Sequence, residues 1–176
     1  TVVSGLALGI DESAHKGVIA NNGKTIAVLA CGLERIYPAQ NQVIGEKILA
    51  LNGAIVSEYP LGSVTYENRF LERNRIVSGL SLGIIVIEAP THSGALATAR
   101  FALEQNREVF VTPGFFGHKN YDGSHNLIKE SASLMAGVDD VFQFLKILPE
   151  TINVLKNNSE LPFLDENQKS LLQAIG

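Results

Sequence analysis

Two short segments of the chain are apolar without interruption. They are residues 84–87, Ile-Ile-Val-Ile, and residues 109–111, Val-Phe-Val. A strand with one face in water alternates apolar and polar residues, whereas a strand covered on both faces is continuously apolar. The two segments therefore predict strands buried on both faces, as in a parallel sheet covered by helices.

Further apolar runs at residues 1–4, 25–30 and 54–57 predict three more strands. The intervening segments have helical spacing, which predicts helices at 11–22, 41–52, 69–80, 94–105, 124–133 and 138–147. Asp11 is the predicted N-cap of the first helix and Ser93 that of the fourth. Strands that alternate with helices in this way predict an α/β fold, with a doubly wound, mainly parallel sheet and helices on both faces.

Composition limits the classes of protein to which the chain belongs. Charged residues make up 18% of the 176 residues and the net charge is −4, so we do not expect it to coat duplex DNA through bulk positive charge. The single cysteine, Cys31, excludes a disulfide scaffold and predicts a cytoplasmic location. No apolar run reaches the roughly 20 residues that a membrane-spanning helix needs, so no membrane partner is expected.

The domain organisation follows from changes in composition along the chain. Residues 1–148 form one predicted domain, and because the chain opens inside an apolar run we take it as a fragment of a longer protein. Residues 149–163 contain two prolines and little periodicity, which is typical of a linker. Residues 164–176 are amphipathic and predict either a C-terminal arm or the start of a further domain.

Ligands of open parallel sheets bind beyond the carboxyl ends of the strands, so the residues that follow each strand are the candidate site. Ser4 and Gly5 follow the first strand, Gly32 follows the second, and Ser93 and Gly94 open the helix after the fourth. Glycine allows a ligand to approach the backbone, and a helix N-terminus offers unpaired N–H groups. This pattern favours an anion site, although βα loops also use glycine for purely structural reasons.

The segment from Arg69 to Arg75 breaks the local rules for a helix. Arg69, Arg73 and Arg75 lie early in the predicted helix, where cations oppose the helix dipole, and Asn74 lies within the apolar stripe. Guanidinium groups bind phosphates in a forked geometry, and Phe70 can stack on a base. The alternative is a structural cluster of salt bridges with the neighbouring glutamates.

Other polar residues give weaker signals. Lys119 lies in a loop rich in glycine and aromatic residues. Three roles are open for this loop: a mobile lid, a contact for single-stranded nucleic acid, or a long surface connection. Glu88 ends an apolar strand and is expected to pair with an arginine across the crevice. Asp11 and His15 have the spacing of an acid–base pair, but a helix cap and a core or surface histidine are favoured.

No motif in the sequence predicts a cofactor, a metal or a catalytic residue. The histidines lack metal-ligand spacing with other donors. The sequence holds no G-x-G-x-x-G fingerprint, no P-loop and no G-x-S-x-G elbow. Standard NAD binding and ATP hydrolysis are therefore both disfavoured.

A set of short motifs in fixed order resembles the bacterial DNA-processing protein A family (DprA, also called Smf). The motifs are SGLALGID (4–11), AH (14–15), GLERIYP (32–38), SEYP (57–60), FLERNRIVSGLS (70–81), EA (88–89), SGALATAR (93–100) and VTPG (111–114). The resemblance implies a Rossmann-like fold that binds single-stranded DNA without catalysis. It also implies a homodimer that helps to load the RecA recombinase during natural transformation and recombination.

The resemblance also implies which residues contact DNA. The family's pocket maps onto Phe70, Arg73, Asn74, Arg75, Ser93 and Gly94. Some members carry a lysine where this chain has Glu67, so Arg69 or Lys119 is expected to take its place. The Gly-Ser/Thr-Arg turn of the family is absent from the chain. Many members end in a winged-helix-like domain, which residues 164–176 are expected to begin.

The main alternative function is a nucleotide-processing hydrolase on a related fold, such as a phosphoribohydrolase. Those enzymes carry a Pro-Gly-Gly-x-Gly-Thr-x-x-Glu run at the position of residues 90–95. Here the run is Pro-Thr-His-Ser-Gly-Ala, which lacks most of the glycines and the catalytic glutamate.

Overall fold

The strands lie where the apolar runs predict them. The structure, a computed structural model, describes residues 1–147. The predicted linker at 149–163 and the predicted further domain or arm at 164–176 lie outside the described residues. Strands β1 (Val2–Ser4), β2 (Thr25–Val28) and β3 (Ala54–Val56) form one parallel sheet with β2 in the middle. Strands β4 (Gly83–Val86), β5 (Glu108–Val111) and β6 (Ser133–Leu134) form a second parallel sheet with β5 in the middle.

The helices follow the strands in the alternating order that was predicted. They are α1 (Ile10–Ala20), α2 (Gln42–Ala50), α3 (Glu67–Gly79), α4 (Gly94–Glu104), α5 (Asp122–Lys129) and α6 (Val138–Phe144). This α/β architecture of parallel strands flanked by helices confirms the predicted fold class. Strand β6 escaped prediction because it has only two residues and lies outside any apolar run.

The described residues divide into two units. The first is Thr1–Gly137, which holds both sheets and helices α1 to α5, and the second begins at Val138, where α6 is described. None of the helices in residues 1–147 has both the length and the apolar character needed to cross a bilayer.

Two apolar clusters form the core of the first unit. One joins β4 and β5 to α4 and α5, and the other joins β2 to α2 and the β1–α1 turn.

On β5, Val109, Phe110 and Val111 are all buried, as the continuous run predicts. On β4 the prediction of two buried faces is wrong, because Ile85 is 42% and Ile87 37% exposed. Successive side chains of a strand point to opposite faces, and α4 covers the face of β4 that carries its buried residues.

Helix α1 begins differently from the prediction. Its N-cap is Gly9, whose φ of 93° suits glycine, and no side chain caps the helix. Asp11 is therefore not the cap. Its Oδ2 atom accepts hydrogen bonds from the N–H groups of Gly5 at 2.9 Å and Ala7 at 3.2 Å, so it folds the β1–α1 turn instead.

His15 is a core residue rather than a surface one. Its Nδ1 atom lies 2.8 Å from Thr25 Oγ1, and that hydroxyl donates to the carbonyl of Val2 at 2.7 Å. Because the hydroxyl proton is already used, Nδ1–H must be the donor to Thr25. Burial lowers the pKa of His15, and the Asp11 carboxylate only partly opposes that effect. Cys31 is also fully buried, and burial raises the pKa of its thiol.

Candidate nucleic-acid interface

The turn after β1 is held by side chains from elsewhere in the fold. Asp11 pairs with the amides of Gly5 and Ala7, and Asn41 Nδ2 donates to the carbonyl of Leu6 at 2.9 Å. Ser4 is half-buried and Gly5 is buried. The Gly5 N–H, which was expected to face a phosphate, is therefore already paired with a carboxylate.

Arg73 connects α3 to the first sheet. Its side chain is 4% exposed, and Nη1 donates to the carbonyl of Gly5 at 2.7 Å and to that of Val28. A Cβ atom on Gly5 would overlap the guanidinium group, so only glycine leaves room for it. Burial lowers the pKa of Arg73, while the nearby Asp11 carboxylate favours the charged form. The structure thus places Arg73 beneath the crevice, with its donors directed at the backbone.

Asn74, the next residue, contacts the opposite side of the crevice. Its Oδ1 atom accepts a hydrogen bond from Arg73 Nε at 3.1 Å, and its Nδ2 donates to the carbonyl of Gly94 at 3.2 Å. The polar side chain predicted within an apolar stripe is therefore satisfied, as a half-buried amide must be. The structure brings Gly5, Arg73, Asn74 and Gly94 together in one connected network.

Helix α4 begins next to this network. Ser93 is its N-cap, as predicted, and its Oγ accepts a hydrogen bond from the Ala95 N–H at 3.1 Å. Gly94 is exposed. The first turn of α4 thus presents backbone to solvent beside Asn74, where a phosphate group can approach.

An aromatic cluster flanks the start of α3. Phe70 is half-buried, and its ring centroid lies 5.7 Å from that of Tyr37 at an interplanar angle of 46°. The Arg69 guanidinium lies over two rings, 4.5 Å from the Tyr59 centroid and 5.0 Å from that of Tyr66. Both distances are within the range of cation–π attraction. The predicted set omitted the three tyrosines, although Tyr37 and Tyr59 follow β2 and β3 at the edge where ligands bind.

The remaining predicted residues lie apart from the network. Arg75 is exposed and forms a salt bridge with Glu58, which lies 17 residues away and is not one of the neighbouring glutamates of the predicted alternative, Glu67 and Glu72. Gly32 is buried, and its N–H donates to the carbonyl of Ser63 at 3.2 Å. Lys119 is exposed in a short 3-10 turn between β5 and α5.

Glu88 has a different partner from the expected one. Its Oε1 accepts a hydrogen bond from Asn120 Nδ2 at 2.6 Å, so the expectation that it pairs with an arginine is wrong. The partner comes from the loop after β5, which periodicity does not position. Among residues 1–147, no group of His, Cys, Asp and Glu side chains is arranged to hold a metal ion.

Parallel strands flanked by helices, with the polar and aromatic cluster at their carboxyl edge, define residues 1–137 as a Rossmann-like α/β domain. Residues 1–146 match the family model described as DNA recombination-mediator protein A. The chain belongs to that family.

Relatives and solved structures agree with this assignment. The chain is 46% identical to Protein Smf of Escherichia coli (strain K12), over 83% of this chain and 39% of that protein. It is 43% identical to DNA processing protein DprA of Streptococcus pneumoniae (strain R6), over 80% of this chain and 49% of that protein. The chain thus spans less than half the length of these two relatives.

Two solved structures are similar in fold. The X-ray structure of DNA processing protein A from Streptococcus pneumoniae superposes with a TM-score of 0.74 at 42% identity, over 80% of this chain and 50% of that one. The protein from Helicobacter pylori, whose structure is described as showing a single-stranded DNA binding mode, gives a TM-score of 0.74 at 33% identity. That match covers 83% of this chain and 66% of the other.

Proposed function

We propose that this chain binds single-stranded DNA at the carboxyl edge of its strands. The observation that carries the proposal is the aromatic cluster beside α3, in which Phe70 and Tyr37 lie together and Arg69 covers two further rings. Base stacking on aromatic side chains contributes about 1–3 kcal/mol per base and tolerates any sequence. The single-stranded DNA binding described for the Helicobacter pylori relative supports the same interpretation.

The net charge of the chain is −4, so it offers few cations for a broad DNA surface. This charge suits binding that is confined to one crevice. We assign phosphate contacts to Arg69 and to the exposed start of α4 at Ser93 and Gly94, whereas Arg75 of the wild type is paired with Glu58. Duplex DNA is excluded because its bases are stacked on one another and offer no free face to Phe70.

Arg73 has a positioning role in this proposal. Its guanidinium is buried and donates to two backbone carbonyls, so it shapes the crevice from below. We expect Arg73→Ala to weaken DNA binding by disturbing the β1–α1 turn. The slope of log K against log salt should stay unchanged, because no phosphate contact is lost.

The test is a fluorescence anisotropy titration of the full-length protein with oligothymidylate and with duplex DNA. Phe70→Ala should weaken single-strand binding by about 5- to 150-fold, the loss of one stacked base. Leu71→Ala is the matched control, because Leu71 is the next residue of α3 and is 47% exposed. Equal affinities for Phe70→Ala and Leu71→Ala would refute the role of Phe70.

We further propose that the full-length protein is a cytoplasmic homodimer that helps to load RecA onto single strands during DNA uptake, natural transformation and recombination. The family's description as a recombination mediator supports this role. The protein should accelerate single-strand-dependent ATP hydrolysis by RecA, and sedimentation should give the mass of two chains. It should release no base from nucleoside monophosphates; such release would favour the hydrolase.

A further inference from the structure

The two most exposed large apolar side chains of residues 1–147 are neighbours in the chain. Phe115 is 81% exposed and Phe116 is 100% exposed, and both lie in the loop between β5 and α5. Phenyl rings this exposed contribute nothing to the packing of the fold. Two such rings side by side are a binding surface rather than a chance exposure.

The base of this loop is well ordered by its own contacts. The ring of Tyr121 lies where a Cβ atom of Gly114 would be, and His125 Nε2 lies 3.2 Å from the Gly114 carbonyl. The His118 N–H donates to the carbonyl of Phe115 at 3.2 Å, and the Tyr121 N–H donates to the carbonyl of His118 at 2.9 Å. The fold therefore holds the two phenyl rings outward on a hydrogen-bonded turn.

The loop lies at the same edge of the sheets as the proposed DNA site. Asn120 contacts Glu88, and Ser124 Oγ accepts a hydrogen bond from the Ala89 N–H at 3.0 Å, so the segment packs on the carboxyl end of β4. Phe116 and Thr91 line one shallow cavity. Thr91 is two residues before the Ser93 cap of α4, so the cavity that Phe116 lines extends to the segment that leads into α4.

The surroundings of the phenyl pair suit a polynucleotide. Lys129 lines the cavity with Phe116, as do Asp122 and His125. Lys119 is exposed and lies three residues after Phe116 in the same loop. The two salt bridges found among residues 1–147 involve neither lysine. Aromatic faces next to cations are the combination that binds unpaired bases and their phosphates.

We propose that Phe115 and Phe116 form a second stacking site, which binds bases of the same single strand that occupies the Phe70 site. This inference rests on the proposed function and adds to it a site of contact. A strand long enough to reach both sites gains stacking at each, whereas a short oligonucleotide occupies the Phe70 site alone.

The experiment compares two probe lengths on the full-length protein. Oligothymidylates of about 30 and about 5 nucleotides, the second near the low end of the about 4–16 nucleotides that one single-strand-binding fold takes, are titrated against Phe115→Ala/Phe116→Ala. The long probe should bind about 5- to 150-fold more weakly, and the short probe should bind as it does to the wild type. Leu82→Ala is the control, because Leu82 is 65% exposed and precedes β4 at the opposite edge.

The outcomes separate this inference from the proposed function. The second site is refuted if the double variant binds the long probe as tightly as the Leu82→Ala control does. If Phe70→Ala still binds weakly in that case, the first site is unaffected. A loss of affinity together with a changed sedimentation coefficient also refutes the second site, because the phenyl rings would then contact another protein chain. A wild-type protein that prefers neither probe over duplex DNA refutes both proposals.

Discussion

Replacing Gly5 with alanine tests the network beneath the crevice. In the wild type, the Arg73 guanidinium occupies the space that a Cβ atom on Gly5 would need. The end of an arginine side chain is flexible in general, but here it is buried and donates to the carbonyls of Gly5 and Val28. The added methyl group must therefore displace a paired, buried cation.

The size of the effect follows from the bonds that are lost. A hydrogen bond to a charged group contributes about 1.5–3 kcal/mol, so losing both would cost about 3–6 kcal/mol. We expect the guanidinium to move and keep one carbonyl partner, so the free energy of unfolding should fall by about 1.5–3 kcal/mol, the contribution of the one bond that is lost. Gly17→Ala is the control, since a Cβ atom there meets nothing within 4 Å. That change should stabilise α1 by about 0.5–1 kcal/mol.

The assay is urea unfolding of the full-length protein, followed by circular dichroism. A double-mutant cycle with Arg73→Ala isolates the clash, because without the guanidinium the methyl group has room. Gly5→Ala should then cost less than about 1 kcal/mol in the Arg73→Ala background. The reasoning is refuted if Gly5→Ala costs the same with and without Arg73, or if it behaves as Gly17→Ala does.

Three further predictions concern titration, charge and an interior hydrogen bond. Burial lowers the pKa of His15, so below about pH 6.5 the unfolded chain binds a proton that the folded chain resists. The free energy of unfolding should therefore fall by up to about 1.4 kcal/mol per pH unit as the pH drops. His15→Asn should flatten this dependence on pH, and the same slope in the wild type and the variant would contradict the prediction. Glu58→Gln removes an exposed salt bridge, so the free energy of unfolding should change by less than about 1 kcal/mol. It also frees Arg75, so the slope of log K against log salt for oligothymidylate binding should steepen by about 0.7. An unchanged slope would exclude a phosphate contact by the freed Arg75. Ser124→Ala leaves the buried Ala89 N–H unpaired and should cost about 1–3 kcal/mol in urea unfolding; a loss below that range would mean that the amide finds another partner.

Local sequence pattern was sufficient to predict the fold class, the order of elements apart from β6, and the Ser93 cap. Those features depend on residues close together in the chain, where periodicity and capping rules act. The pairing of Arg73 could not be predicted in this way, because its partners lie 68 and 45 residues away in sequence. An arginine in a short motif looks the same whether it faces a phosphate or a carbonyl of its own backbone.

The exposed side of β4 shows a second limit. A continuous apolar run indicates burial on both faces, yet Ile85 and Ile87 remain partly exposed in the described residues. The pattern records that both faces of the strand are apolar, and it does not specify what covers each of them. The aromatic cluster was missed for a related reason, since Tyr37 comes from the β2–α2 connection and Tyr59 and Tyr66 come from the β3–α3 connection.

Arg73 and Asn74 are consecutive residues that hold opposite walls of the crevice. One side chain bonds to the backbone of the first sheet, and the other bonds to the first residue of α4. The spacing between these two backbone segments therefore depends on the side chains of two adjacent residues of α3. A substitution at either residue would release one segment and leave the other attached to the helix.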